Sequence, residues 1–223
     1  ISNLFIKRYP EKAGDFFQYS FLKRLDICLN FINKIVKNRS SLSLLEIGCA
    51  DGIVLRAINK KFKNFNYFLG MDTSPEMIDA AKALNTDSGK VNFETRDKFI
   101  EKKFPIVVEI GVLPLTNIAQ EISYVSSLVE KGGYYLCSYG SKSSLNHRLK
   151  NDIFGSKDLS YSEFEGILKE YFFILEKKEF GLFFPKLWFC PPLGRFFQPM
   201  ADFIFSFVLP DLFHEKIYLL KKK

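Results

Sequence analysis

Histidine, cysteine and tryptophan are scarce in this chain, with two, four and one among 223 residues. The scarcity closes off several chemistries. Cys28, Cys49, Cys137 and Cys190 fall at no zinc-ligand or disulfide-framework spacing, so no metal site is expected and the thiols suit a reducing, cytoplasmic setting. No stretch approaches the ~20 apolar residues of a spanning helix, and no secretory leader is visible. Internal repeats are absent. Basic residues outnumber acidic ones 32 to 25, a formal charge of +7 that would suit a polyanion. The lysines are scattered, however, with one run only at 221–223, and no aromatic–basic alternation of the kind that stacks bases occurs. A nucleic-acid partner is therefore disfavoured, and solvated lysines are the simpler account.

What the chain does have is a hydrophobic content of 47%, enough for a sizeable core in one domain of this length. Phe21, Leu22, Leu25, Cys28, Leu29, Ile32, Ile35 and Val36 recur at helical spacing, which predicts an amphipathic helix over 16–37. Strand-like runs near 42–47, 66–71, 90–94, 104–110 and 133–139 then alternate with helical ones near 52–62, 75–84 and 116–130. Alternation of this kind implies right-handed crossovers and a parallel sheet. Ser74, Pro75 and Glu76 supply a cap, a first-turn proline and a favourable charge for the helix at 75.

Residues 44–52 read Leu-Leu-Glu-Ile-Gly-Cys-Ala-Asp-Gly. An apolar strand ends in Glu46 and turns through Gly48, Ala50 and Gly52 into a helix, a geometry that lets a ligand lie against bare backbone. Asp72 closes the next strand, where a carboxylate can accept hydrogen bonds from both hydroxyls of a ribose. The expected ligand is a nucleoside. The dinucleotide fingerprint would need a third glycine where Ile53 stands, which disfavours a nicotinamide oxidoreductase.

Residues 44–52, 69–82, 91–97, 104–113 and 128–139 together resemble the class I S-adenosylmethionine-dependent methyltransferases of small-molecule type. The resemblance covers roughly 40–140 and implies an α/β fold: a Rossmann-like, mostly parallel seven-stranded sheet, helices on both faces, the last strand antiparallel. It implies one methyltransferase domain over 1–223, with an N-terminal helical segment (1–40), a cofactor-binding core (41–140) and a substrate-side, aromatic C-terminal part (141–223). It implies S-adenosylmethionine as cofactor, held by Glu46, Gly48, Cys49, Ala50 and Gly52 in the first turn and by Asp72, Thr73 and Met77 after the second strand. Asp97 and Lys98 would follow the third strand, with Asp97 on the adenine amino group, and Glu109 and Ile110 would follow the fourth. Pro114 stands where many small-molecule members carry a histidine.

Of the two histidines, His147 lies beyond the fifth strand, where the substrate side of such folds is found, and is the candidate general base. His214 precedes the last strand and reads as structural. Tyr9 and Tyr19 are candidates for lining the substrate entrance. Residues 180–213 hold eleven aromatics and five prolines. They are expected as proline-broken pieces that either cap the sheet or form an apolar acceptor lid or a peripheral contact with the inner face of a membrane. The expected activity is methyl transfer to a small or lipid-linked, partly hydrophobic acceptor. The alternatives are a non-catalytic methyltransferase-fold binding subunit or a nucleic-acid methyltransferase, although no Asn/Asp-Pro-Pro-Tyr/Phe-like motif follows the fourth strand.

Overall fold

Asp15 begins the first described element: its carboxylate accepts the Gln18 amide at 2.9 Å and caps α1, Phe16–Val36. The computed structural model describes residues 14–37, 39–85, 89–96, 101–148, 159–182 and 188–223. After α1 the chain alternates: β1 Leu42–Ile47, α2 Ile53–Lys61, β2 Phe65–Asp72, α3 Pro75–Leu84, β3 Val91–Thr95, β4 Phe104–Glu109. It continues with α4 Ile118–Leu128, β5 Val129–Gly140, a single helical turn α5 Leu145–Arg148, and α6 Tyr161–Tyr171. The last elements are β6 Phe172–Phe180, α7 Pro191–Val208 and β7 Glu215–Lys222.

The seven strands lie in the order β3-β2-β1-β4-β5-β7-β6. The first five are mutually parallel, and β7 runs antiparallel between β5 and β6. This is the expected Rossmann-like sheet. Its central strands are buried on both faces, and alternate residues feed two cores. Leu44, Phe68, Ile106 and Val108 pack with α1, α2 and α3, whereas Leu45, Leu69, Val107 and Phe104 pack with α4 and α6. The direction of chain crossover reverses between β1 and β4, which leaves a crevice at their carboxyl ends.

Two local expectations shift. The fifth strand begins at Val129 rather than near 133, because its first residues pair with Phe104 across an irregularity that contains Gly132 at φ +71°. Residues 191–208 are one helix rather than proline-broken pieces. Pro191 and Pro192 occupy the first turn, where no amide hydrogen is needed, and Pro199 faces solvent. Gly194 lets the helix lie on the Trp188 ring, since a Cβ there would come 2.5 Å from Cδ2.

Candidate functional site

Three left-handed residues in five shape the turn after β1: Gly48 at φ +70°, Ala50 at +46° and Gly52 at +76°. The amides of Gly48 and Cys49 both donate to the Met71 carbonyl, at 2.7 and 2.9 Å, which locks the turn onto the end of β2. Asp72 completes the lock. One carboxylate oxygen accepts the Ala50 amide at 2.8 Å and the other the Ser74 amide at 3.0 Å. Ser74 in turn caps α3 through the Met77 amide. A cavity of about 530 Å³ opens on this turn. Its floor is Glu46, Gly48, Cys49, Ala50 and Asp51, and one wall is Asp72, Thr73, Ser74 and Met77. Ile110, Gly111, Val112, Leu115 and Thr116 form a second wall, α1 adds Phe21 and Arg24, and Arg96 enters from the end of β3.

Carboxyl groups gather at the cavity floor. Burial pushes the Glu46 carboxyl well above the usual range, and Asp51 and Asp72 push the same way against the Leu55 amide and Arg56. Glu46 Oε2 and Asp51 Oδ2 are buried acceptors without a hydrogen-bond partner, although the Arg56 guanidinium stands 3.9 Å from the latter. Acceptors of this kind have room for a donor or cation from a ligand. The two guanidiniums of the cavity are each held by a carboxylate, Arg24 by Glu215 at 2.5 Å and Arg96 by Glu121 at 2.7 Å. Burial raises the Cys49 thiol, so it is an inert wall rather than a nucleophile.

Eight of the residues singled out from sequence therefore meet at one cavity: Glu46, Gly48, Cys49, Ala50, Asp72, Thr73, Met77 and Ile110. Gly52 is not among its lining residues. It serves packing, because a Cβ there would stand 2.6 Å from the Phe93 ring. Asp97, Lys98 and Tyr9 lie outside the described residues. Glu109 departs from expectation for a reason of register. Glu46 pairs with Val108 and Ile47 with Glu109, so the two glutamates point to opposite faces of the sheet. Glu109 is buried on the α4 side and accepts the Tyr135 hydroxyl. His147 sits on α5, its amide bonded to Ser144 Oγ at 3.3 Å, and is not among the cavity's described lining. Tyr19 points to Asp202 instead of the cavity. Phe21, Arg24 and Leu115 lie in no motif and only their positions in space bring them in, whereas Arg96 and Val112 lie within the 91–97 and 104–113 segments but were not singled out as site residues.

Burial pushes Glu109 up to about 8, with the Glu121 charge acting in the same sense. A carboxyl raised on folding contributes stability that is complete below its unfolded value and is lost as the pH rises through its folded one. Stability should therefore fall between about pH 4.5 and 8. Glu109→Gln keeps an acceptor for Tyr135 and removes the titration. Thermal melts across that range should show the variant gaining on the parent as pH increases; parallel curves would mean Glu109 is ionised throughout.

A sequence profile described as a methyltransferase domain matches residues 45–135. Malonyl-[acyl-carrier protein] O-methyltransferase 1 of Ilyobacter polytropus is 29% identical over 110 residues, which is 47% of this chain and 41% of that protein. The match thus spans less than half the length of that curated relative. Among solved structures, magnesium protoporphyrin IX methyltransferase from Synechocystis PCC 6803 with bound S-adenosylhomocysteine superposes with a TM-score of 0.70 at 14% identity, over 99% of this chain and 94% of that one. The N-methyltransferase NodS from Bradyrhizobium japonicum WM9, also with S-adenosylhomocysteine, gives 0.62 at 13% identity, over 91% and 87%. Residues 45–135 thus match a methyltransferase domain, and the chain as a whole has the fold of class I S-adenosylmethionine-dependent methyltransferases. S-adenosylmethionine is the cofactor of that class.

Proposed function

We propose that the protein transfers a methyl group from S-adenosylmethionine to a small or lipid-linked, partly hydrophobic acceptor, and that the cavity above the β1 turn holds the cofactor. The observation that carries this reading is the pairing of a side-chain-free turn with two buried carboxyl groups that each keep one oxygen without a hydrogen bond. Gly48 leaves room where any Cβ would run into Val112, and Glu46 and Asp51 offer acceptors to a cation. Bound S-adenosylmethionine supplies a methyl group made electrophilic by its sulfonium, together with an ammonium. The residues here bind, orient and exclude water. Asp72 uses one acceptor position on each oxygen for backbone amides, and a carboxylate has about four such positions, so it retains capacity for two ribose hydroxyls. Ile110, Val112, Leu115 and Phe21 give the acceptor side an apolar wall that favours an acceptor with an apolar body.

The likeness to a malonyl-[acyl-carrier protein] O-methyltransferase supports a carboxylate oxygen as one acceptor atom. A carboxylate already bears its lone pair and needs no base, whereas a phenol or alcohol does. The direct test is transfer from methyl-labelled S-adenosylmethionine to acyl thioesters ending in a carboxylate, and to apolar phenols. Labelling of neither class, with cofactor binding intact, would leave a binding subunit.

Glu46 gives the cofactor reading a signature of its own. A cation placed beside a carboxyl that burial has raised favours the ionised form, so binding should expel a proton. Calorimetry near pH 7 in buffers of different ionisation enthalpy should therefore show proton release on S-adenosylmethionine binding. Glu46→Gln should bind more weakly and release none. Buffer-independent heats with the parent protein would show that the ligand's charge does not reach Glu46.

A further inference from the structure

Helix α7 is turned inside out. Its buried positions are Gly194, Gln198 and Asp202, one polar line at four-residue spacing. Its opposite face carries Leu193, Phe196, Met200, Phe203, Ile204 and Phe207 at three- and four-residue spacing, all exposed, with Phe196 and Phe203 at 66% and Phe207 at 74%. A helix on a globular protein ordinarily does the reverse. Here the inner contact is polar and specific. Gln198 donates to the Leu182 carbonyl at 2.6 Å and to Asp202 at 2.8 Å, and it accepts from Trp188 Nε1 at 3.2 Å. The Tyr19 hydroxyl donates to the other Asp202 oxygen at 3.0 Å. These bonds fix the helix so that its apolar stripe can only face outward.

We propose that α7 is an interfacial membrane helix, and that the protein seats itself on an anionic lipid bilayer through Leu193, Phe196, Met200, Phe203 and Phe207. Three observations choose a bilayer over other occupants. The stripe is a convex ridge, and 18 residues give it a length of about 27 Å. Facing a second copy, a ridge that long and about 10 Å wide covers roughly 300 Å², well short of the ~800 Å² per partner of a stable interface. Its charges also fit: the helix's single carboxylate, Asp202, is buried, Arg195 is exposed, and the chain carries +7 overall. No helix among the described residues is long and apolar enough to cross a membrane, so α7 lies in the interface plane. The seat is also near the site. Tyr19, which holds Asp202, is two residues from Phe21 at the cavity. That this brings the cavity to a lipid-embedded acceptor rests on the function proposed above; the docking itself does not.

The test is co-sedimentation of the full chain with vesicles of phosphatidylcholine, alone and mixed with phosphatidylglycerol. The protein should bind the mixed vesicles, and the double variant Phe203→Glu/Phe207→Glu should bind at least tenfold more weakly with unchanged affinity for S-adenosylhomocysteine. The F207W variant should shift its fluorescence to the blue on adding mixed vesicles. No co-sedimentation, binding that survives the double variant, or a concentration-dependent dimer that the double variant abolishes would each overturn the proposal. Equal binding to pure phosphatidylcholine would overturn its anionic part. Calorimetry with S-adenosylhomocysteine reads the cofactor site separately, so the two ideas fail independently.

Discussion

Gly48→Val is expected to abolish S-adenosylmethionine binding while the protein still folds. Position 48 has φ +70°, a conformation that costs a β-branched residue about 1–3 kcal/mol. The first side-chain carbon would also run into Val112 Cγ2 across the cavity mouth. Relief requires either the Val112 side chain to rotate into the cavity or the turn to move away from the Met71 carbonyl that both Gly48 and Cys49 amides hold. Either movement changes the surface against which the methionine part of the cofactor would lie. Titration calorimetry with S-adenosylhomocysteine should show at least a hundredfold loss of affinity, with a lowered but cooperative melt. Full affinity in a variant that melts normally would reduce this turn to a structural connection.

Asp72→Ala should be nearly as damaging, by a route that involves both the ligand and the turn. Its carboxylate would lose the ribose hydroxyls, each hydrogen bond to a charged group being worth about 1.5–3 kcal/mol. The same substitution removes the acceptor for the Ala50 and Ser74 amides. Ala50, at φ +46°, then loses the partner of its own amide, and only the bonds of its neighbours hold it in a conformation it would otherwise leave. The combined effect should weaken binding by about a hundredfold, on the order of 3 kcal/mol, and lower the melting temperature. Asp72→Asn separates the two roles. An amide oxygen can still accept from one backbone N–H, so Asn should recover more stability than affinity. Equal recovery of both would mean that the carboxylate acts only on the turn.

Much of the site was legible because its parts are local. The strand at 42–47 and the Ser74–Pro75 start of α3 depend on side-chain alternation, capping and proline geometry, which act within a few residues. The Gly48–Gly52 turn has the same local origin, since left-handed backbone selects small residues wherever it occurs. Those signals also placed Asp72 at the end of its strand beside the turn. The aromatic segment was misjudged for an equally physical reason. Five prolines suggested interruption, yet Pro191 and Pro192 sit where a helix tolerates them, and the apolar spacing from Leu193 to Phe207 is helical.

The reversal of the last strand was implied by the family resemblance, whereas composition and pattern by themselves determined the alternating strands and helices, the parallel sheet and the small-residue turn after β1. Each of these follows from backbone preferences and from the need to bury apolar faces. Which side of the sheet each glutamate serves was decided only by tertiary structure, because strand register sets Glu46 against Val108 and Glu109 against Ile47. Tertiary structure also brought Arg24 to Glu215, 191 positions away, and so carried α1 to the cavity wall. The outward face of α7 belongs to the same class. An amphipathic pattern states that a helix has two faces, but only the Trp188–Gln198–Asp202–Tyr19 bonds decide that the polar one points inward.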